Sequence, residues 1–271
     1  MSETIGFIGG GQMGEALIKG LLSAGKYKSN EIIVVEPVQS RQDYLKSTYS
    51  VSTVSSVETI LQECPILLLA VKPQIMATVL KGLRDHITSH HLLITIAAGL
   101  PIAFYKKHLK SDSCKVVRVM PNTPALVMEG ASALCGCAEV NDDDLNTARE
   151  ILDSVGTTVL LDEHLMDAVT GLSGSGPGYV FTFIEAMIDA GVQNGLPRET
   201  AQMLATQTLL GSVKLMQETE EHPAVLRGRV TSPGGTTIAG LHVMEQQGLR
   251  GTIMDAIRAA TNRSIELGKK V

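Results

Sequence analysis

The chain has 271 residues, 44% of them hydrophobic and 19% charged, with a formal net charge of −5 and no tryptophan. That length is near the useful limit of one hydrophobic core, so two domains are expected, and the acidic balance argues against a nucleic-acid binder, which needs a basic face. The longest apolar run, residues 66–71, ends at Lys72, well short of the ~18 residues of a membrane span, and Met1-Ser2-Glu3-Thr4 has neither the cationic nor the apolar stretch of a signal peptide, so a cytoplasmic protein is expected.

Short apolar runs over 5–8, 32–35, 66–71, 92–97, 116–120 and 157–161 predict strands. Several are apolar throughout rather than alternating, as in a parallel sheet covered on both faces. Helix-length stretches separate them, which predicts a doubly wound α/β domain. The first helix, over 12–24, places Met13, Ala16, Leu17, Leu21 and Ala24 on one face and stops at Gly25.

Between the first strand and the first helix stands Gly9-Gly10-Gly11-Gln12-Met13-Gly14, a G-x-G-x-x-G pattern. The pattern alone is weak, but a strand entering and a helix leaving give it meaning. Gly9 permits a tight turn, Gly11 lets a pyrophosphate approach the backbone, and Gly14 lets the helix pack on the strand. The helix start then offers free N–H groups and partial positive charge to phosphates. Ile8, Gly9, Gly10, Gly11, Gln12 and Met13 are therefore candidate dinucleotide contacts.

Glu36 ends the second strand, 22 residues past Gly14. An acidic residue there commonly accepts from the adenosine ribose hydroxyls and favours NAD. Ser40 and Arg41 follow closely, and an arginine in this loop can hold a 2′-phosphate instead. The choice between NADH and NADPH stays open at this level.

Two further strand ends carry unusual residues. Ala70-Val71-Lys72-Pro73-Gln74 puts a cation and a proline where a buried strand emerges, and Met120-Pro121-Asn122-Thr123-Pro124 puts an amide and two prolines at another. Ligands of open α/β sheets bind beyond the carboxyl ends of the strands, so these loops, with Ala70, Val71, Lys72, Pro73 and Asn122, are expected to border a nicotinamide.

Past residue 162 no further strand is expected, only helices broken by Gly and Pro. One long helix over 164–194 is interrupted around 174–178; Gly195-Leu196-Pro197 stops it and starts the next. Two more are expected over 234–247 and 250–267. Ahead of the first of these, Ser232 reads as an N-cap and Pro233 as the first helical residue, with Gly234 and Gly235 in the first turn leaving bare N–H groups at a positive helix end. Such a cradle suits a carboxylate, and the Thr237 hydroxyl can meet a polar atom of the same molecule. The four cysteines, Cys64, Cys114, Cys135 and Cys137, lack metal or redox spacing and read as small buried thiols. No metal site is expected.

Taken together, Gly6-Phe7-Ile8-Gly9-Gly10-Gly11-Gln12-Met13, Ala70-Val71-Lys72-Pro73-Gln74, Met120-Pro121-Asn122-Thr123-Pro124, Asp167-Ala168-Val169-Thr170-Gly171-Leu172-Ser173-Gly174-Ser175-Gly176-Pro177 and Ser232-Pro233-Gly234-Gly235-Thr236-Thr237 resemble the pyrroline-5-carboxylate reductases along the full chain. The first motif is common to many dehydrogenases; the last two are specific to this family. The resemblance implies an N-terminal Rossmann-type domain over 1–161 and an all-α dimerisation domain over 162–271. It also implies reduction of the ring imine of 1-pyrroline-5-carboxylate to L-proline by NADPH or NADH, with a lean toward NADPH. Partners are the small-molecule substrate and a second copy of the chain, in a homodimer and in higher assemblies up to a decamer of dimers; neither nucleic acid nor membrane is implied. By position, Thr237 matches the threonine on the imine nitrogen, with Thr236 beside it. Ser232, Gly234 and Gly235 match the carboxylate cradle, Glu163 and Glu220 match acidic residues near the substrate, and Lys72 matches a lysine beside the nicotinamide. Three positions depart from the family: Ser55-Ser56-Val57 replaces an asparagine that touches the cofactor, Thr236 replaces a frequent alanine, and Glu36 stands where many members have a small or amide residue.

The alternatives are a β-hydroxyacid dehydrogenase-like enzyme, another imine reductase and a non-catalytic nucleotide sensor. Enzymes of the first kind carry a catalytic lysine on the long interdomain helix, whereas residues 163–197 here contain no Lys or Arg.

Overall fold

The computed structural model describes residues 4–111 and 113–269, so Met1-Ser2-Glu3 and the last two residues lie outside it. Its strands are β1 (Ile5–Ile8), β2 (Ile32–Val35), β3 (Ser52–Val54), β4 (Ile66–Leu69), β5 (Leu92–Thr95), β6 (Lys115–Met120), β7 (Gly130–Gly136) and β8 (Gly156–Leu160). They form one sheet in the order β3-β2-β1-β4-β5-β6-β7-β8. Neighbours pair in parallel except β6 with β7, so β7 and β8 run against the other six.

Successive residues of the central strands enter opposite cores. Phe7, Val34, Leu68 and Ile94 pack on one face; Ile33, Val35, Leu67, Leu69 and Leu93 pack on the other. Two covered faces are why these strands are apolar without alternation. Each fully buried Leu or Ile contributes about 1.5–3 kcal/mol.

Two strands escape the sequence pattern. β3 has three residues, Ser-Thr-Val, at the sheet edge, with only the middle one buried. β7 is Gly-Ala-Ser-Ala-Leu-Cys-Gly, whose small residues have weak strand preference, and tertiary packing imposes the strand on them. Strands β4 and β5 also stop two residues before the expected ends, at Leu69 and Thr95.

The helices are α1 (Gln12–Ser23), α2 (Gln39–Tyr49), α3 (Glu58–Leu61), α4 (Pro73–Leu83), α5 (Ile102–Leu109), α6 (Asp142–Asp153), α7 (Met166–Val169), α8 (Gly176–Gln193), α9 (Arg198–Thr219), α10 (Pro223–Arg229), α11 (Thr236–Gln246) and α12 (Leu249–Gly268). The expected long helix over 164–194 is thus divided. A 3-10 turn (Glu163–Leu165) and α7 lead into a π-helical turn (Thr170–Gly174) before α8 begins. Helix α10 was not expected; Pro223 starts it and the His222 ring accepts from the Ala224 N–H at 3.2 Å.

Contacts group the chain into two compact units, residues 1–175 with 258–271, and residues 176–257. Ser264, 4% exposed, holds the end of α12 in the first unit by donating to Asp167 Oδ1 at 2.6 Å. Cys64, Cys114 and Cys135 are buried, as expected, and burial pushes each thiol up to about 12. Among the described residues, no helix is long and apolar enough to cross a membrane.

Candidate active site

The glycine loop sits where β1 ends between β2 and β4. Gly9 N–H donates to Val35 O and Ala70 N–H donates to Ile8 O, both at 2.9 Å, which brings Ile8, Gly9 and Ala70 together. Gly9 has φ +105°, and a Cβ there would lie 2.7 Å from Ala70 O, so only glycine fits. A Cβ on Gly14 would meet Gly9 O at 2.6 Å, the close helix–strand approach anticipated for it. Gly11 differs: nothing lies within 4 Å of its missing side chain. It is the N-cap of α1, no side chain caps the helix, and Gly11 and Gln12 are exposed. An open glycine before uncapped first-turn amides fits a dinucleotide diphosphate.

Glu36 and Arg41 also lie beside this loop. Glu36 is 9% exposed, with Oε2 accepting from Gly10 N and Oε1 from Val38 N, both at 3.0 Å. Its backbone is fixed as well: N–H donates to Val54 O at 3.0 Å and the carbonyl accepts from buried Gln42 Nε2 at 2.6 Å. Arg41 Nε donates to Gly10 O at 2.6 Å while Nη2 pairs with Glu15 Oε2. The other Glu15 oxygen accepts from the Tyr44 and Tyr49 hydroxyls, each at 2.8 Å. Burial works against ionisation of Glu15, but Arg41 and the two phenols outweigh it and hold the carboxyl below its usual range. Sequence reasoning missed Glu15, Gln42, Tyr44 and Tyr49; an acidic residue one place after the third glycine, 24 residues ahead of a Tyr-bearing helix, is the only hint of them.

Lys72 is the N-cap of α4, exposed, followed by Pro73 at the first helical position. Pro73 and Gln74, with Gly99, Phe104, Ser175 and Leu267 of the same unit, line a mostly apolar cleft of about 510 Å³, a size suited to a small ligand. Asn122 is spent on protein groups. Its Nδ2 donates to Ser173 O at 3.1 Å and its Oδ1 accepts from Ala131 N at 2.8 Å, so it ties the end of β6 to β7 and to the π-helical turn. Glu163 Oε1 accepts from Ile102 N at 2.7 Å, at the start of α5, and pairs with Arg118 at 3.2 Å. Arg118, whose side chain is only 7% exposed, was not anticipated.

The second unit holds the other candidate loop. Gly235 N–H donates to Ser232 O at 3.1 Å, closing a turn with Pro233 second and Gly234 third at φ +67°, the pattern of a type II turn. This corrects the expected start of the helix. Ser232 is not its N-cap and Pro233 is not its first residue, because a glycine at positive φ cannot be helical; Gly235 is the N-cap and α11 begins at Thr236. A Cβ on Gly235 would meet Ser232 Oγ at 2.3 Å, a contact that rotation of the exposed serine side chain can relieve. No side chain caps α11, so Thr236 and Thr237 supply its first amides. Thr237 is half-buried, and Ser232, Gly234 and Thr236 are exposed. Glu220, exposed, caps the C-terminal end of α9 at φ +54°.

Residues 163–267 match the family model described as pyrroline-5-carboxylate reductase dimerisation, and residues 4–99 match the model described as NADP oxidoreductase, coenzyme F420-dependent. A pyrroline-5-carboxylate reductase of Synechocystis is 47% identical over all of both chains. The chain belongs to the pyrroline-5-carboxylate reductase family. Solved members share its fold: the Coxiella burnetii pyrroline-5-carboxylate reductase has a TM-score of 0.93 at 36% identity, covering 98% of this chain and 99% of that one. The Plasmodium falciparum pyrroline carboxylate reductase, solved with NADP bound, has a TM-score of 0.88 at 36% identity, covering 98% of each chain. The Rossmann-type sheet followed by a helical dimerisation region is therefore the architecture of this reductase family.

Proposed function

We propose that the protein reduces 1-pyrroline-5-carboxylate to L-proline with NADPH or NADH, as its family relatives are named for. The observation that carries this reading is the glycine-opened, uncapped start of α11 with Thr236 and Thr237 in its first turn. It offers an anion several backbone N–H groups at a positive helix end and places hydroxyls next to them. The residues of the glycine loop would hold the dinucleotide diphosphate, and the reduced nicotinamide, when bound, supplies the hydride. The substrate carboxylate rests on the first free amides of α11, those of Thr236 and Thr237, and the Thr237 hydroxyl fixes the ring nitrogen. Protonation makes the C=N electrophilic; the proton comes from water, because a threonine hydroxyl is too weak an acid near neutral pH. Orientation of the imine carbon is then the protein's main contribution.

Lys72 contributes a cation at the carboxyl end of β4, on the nicotinamide side. Glu163, committed to Ile102 and Arg118, acts by fixing the start of α5; Glu220 is carried on position alone. The division at 161/162 into nucleotide and helical domains draws support from the dimerisation model, which starts at residue 163. Four unpaired thiols suit a reducing compartment such as the cytoplasm.

Loss of NAD(P)H absorbance with pyrroline-5-carboxylate, run beside 3-hydroxy acids and a no-substrate control, tests the reading. Consumption with the imine alone is expected. Consumption with hydroxy acids instead would transfer the protein to the hydroxyacid dehydrogenases, although residues 163–197 offer no lysine for that chemistry. No consumption with any substrate would leave a nucleotide sensor.

A further inference from the structure

We propose that this chain discriminates against the 2′-phosphate of NADPH and takes NADH, with Glu36 as the specificity-determining residue and Glu15 as the group that withholds Arg41. This deepens the reductase reading and rests on it. The sequence leaves two opposed signals at the end of β2, an acid that suits a ribose diol and an arginine that suits a phosphate. The geometry separates them.

Glu36 is immobile. Four hydrogen bonds, to Gly10, Val38, Val54 and Gln42, fix its side chain and its backbone. Its carboxylate lies directly under the glycine loop, because a Cβ on Gly10 would come within 3.3 Å of Glu36 Oε2. Each of its oxygens retains a lone pair, which can accept from a ribose 2′- or 3′-hydroxyl. A 2′-phosphate brought to the same place meets a fixed negative charge.

Arg41 is the cation that could reverse this, and it is already committed. Its Nε is bonded to Gly10 O, its Nη2 to Glu15, and its guanidinium lies 4.9 Å from the centre of the Tyr44 ring. Glu15 is itself held ionised by Arg41, Tyr44 and Tyr49, so the pair is neutral overall and does not offset Glu36. Moving Arg41 to a phosphate would leave Glu15 half-buried without its cation. The family lean toward NADPH is therefore reversed in this chain by two carboxylates on either side of one loop.

Like charges brought together in a binding site change affinity by at least about tenfold. The full-length protein is titrated calorimetrically with 5′-ADP and with 2′,5′-ADP, and by nicotinamide fluorescence with NADH and NADPH. The wild type is expected to bind the unphosphorylated partner of each pair at least about tenfold more tightly. Glu36→Gln should shrink both ratios by about tenfold. Glu15→Gln, which leaves Glu36 in place and also covers the case of a poorly folded Glu36 variant, should raise NADPH affinity by freeing Arg41. Equal or tighter binding of the 2′-phosphorylated ligands by the wild type overturns the proposal. So does an unchanged ratio in folded Glu36→Gln, and an unchanged or weaker NADPH affinity in Glu15→Gln overturns the part assigned to Glu15. Because these are binding measurements without substrate, a correct ratio beside absent pyrroline-5-carboxylate reduction would refute the proposed activity and leave this inference standing.

Discussion

Thr237 stands in the first turn of α11, half-buried, where its hydroxyl and the free amides of the turn can address one bound anion. Removing a single positioned donor of this kind costs about a hundred- to a thousandfold in turnover where the donor meets developing charge. Thr237→Ala should reproduce a loss toward that scale in kcat, with the dissociation constant of the reduced nucleotide unaltered; steady-state kinetics at saturating nucleotide would measure it, and normal kcat would remove Thr237 from the mechanism. Glu163 belongs to the same scale but to a different kind of role. It neutralises Arg118, whose side chain is 7% exposed, and satisfies an amide at the start of α5. Glu163→Ala leaves a buried cation and an orphaned N–H, and hydrogen bonds to charged groups are worth about 1.5–3 kcal/mol each. The urea midpoint should fall accordingly, and a midpoint equal to wild type would mean that solvent takes over both partners.

At the scale of elements, α1 and α2 are stapled by one carboxylate. Glu15 on α1 binds Arg41 and Tyr44 on α2 and Tyr49 at its last turn. The staple is pH-sensitive with a definite sign. The folded carboxyl lies below its ordinary 4.5, so near that pH the unfolded chain binds more protons than the folded one. The contribution to stability is complete above about 4.5 and is lost as the pH falls through the lower folded value. Glu15→Gln should therefore show a shallower loss of stability on acidification, seen in thermal melts at stepped pH; parallel acid limbs for the two proteins would contradict the assignment. The π-helical turn is the comparable device elsewhere in the same unit. Asn122 satisfies one of its carbonyls, and a Cβ on Gly174 would come within 2.4 Å of Met120 Cε, so the turn rests against the end of β6. Turns of this sort frequently occur at functional sites, and this one is followed in sequence by α8.

For the whole molecule, the helical unit exposes a large apolar surface. Phe181 is 65% exposed, Val230 63% and Met254 70%, together with many other large apolar side chains of α8 to α12. Exposed apolar area on this scale marks an interface, and the dimerisation model covers the same residues. Phe181→Asp should shift the protein toward smaller species in light scattering and lower its melting temperature. An unchanged mass and melting curve would place the interface elsewhere. The same measurement distinguishes a dimer from a decamer of dimers.

Much of this was written locally in the chain. Apolar runs announced six strands, of which β1, β2, β4 and β5 are buried at every position because both faces of the sheet are covered, and the G-x-G-x-x-G pattern put glycine where the backbone takes φ +105° against Ala70 O. The Ser-Pro-Gly-Gly-Thr-Thr stretch marks a helix start, but the sequence places it two or three positions too early, since proline and serine suit a turn and a helix cap equally well. What tertiary structure alone decided concerns residues far apart in sequence. β7 is a strand because β6 and β8 flank it, not because of its own small residues. Asn122 and Glu163 turn to distant backbone amides and carbonyls, and Arg41 turns to a carboxylate 26 positions earlier. A guanidinium has the same intrinsic chemistry beside a phosphate as beside a glutamate; which of the two it meets depends on where the fold brings the other charge.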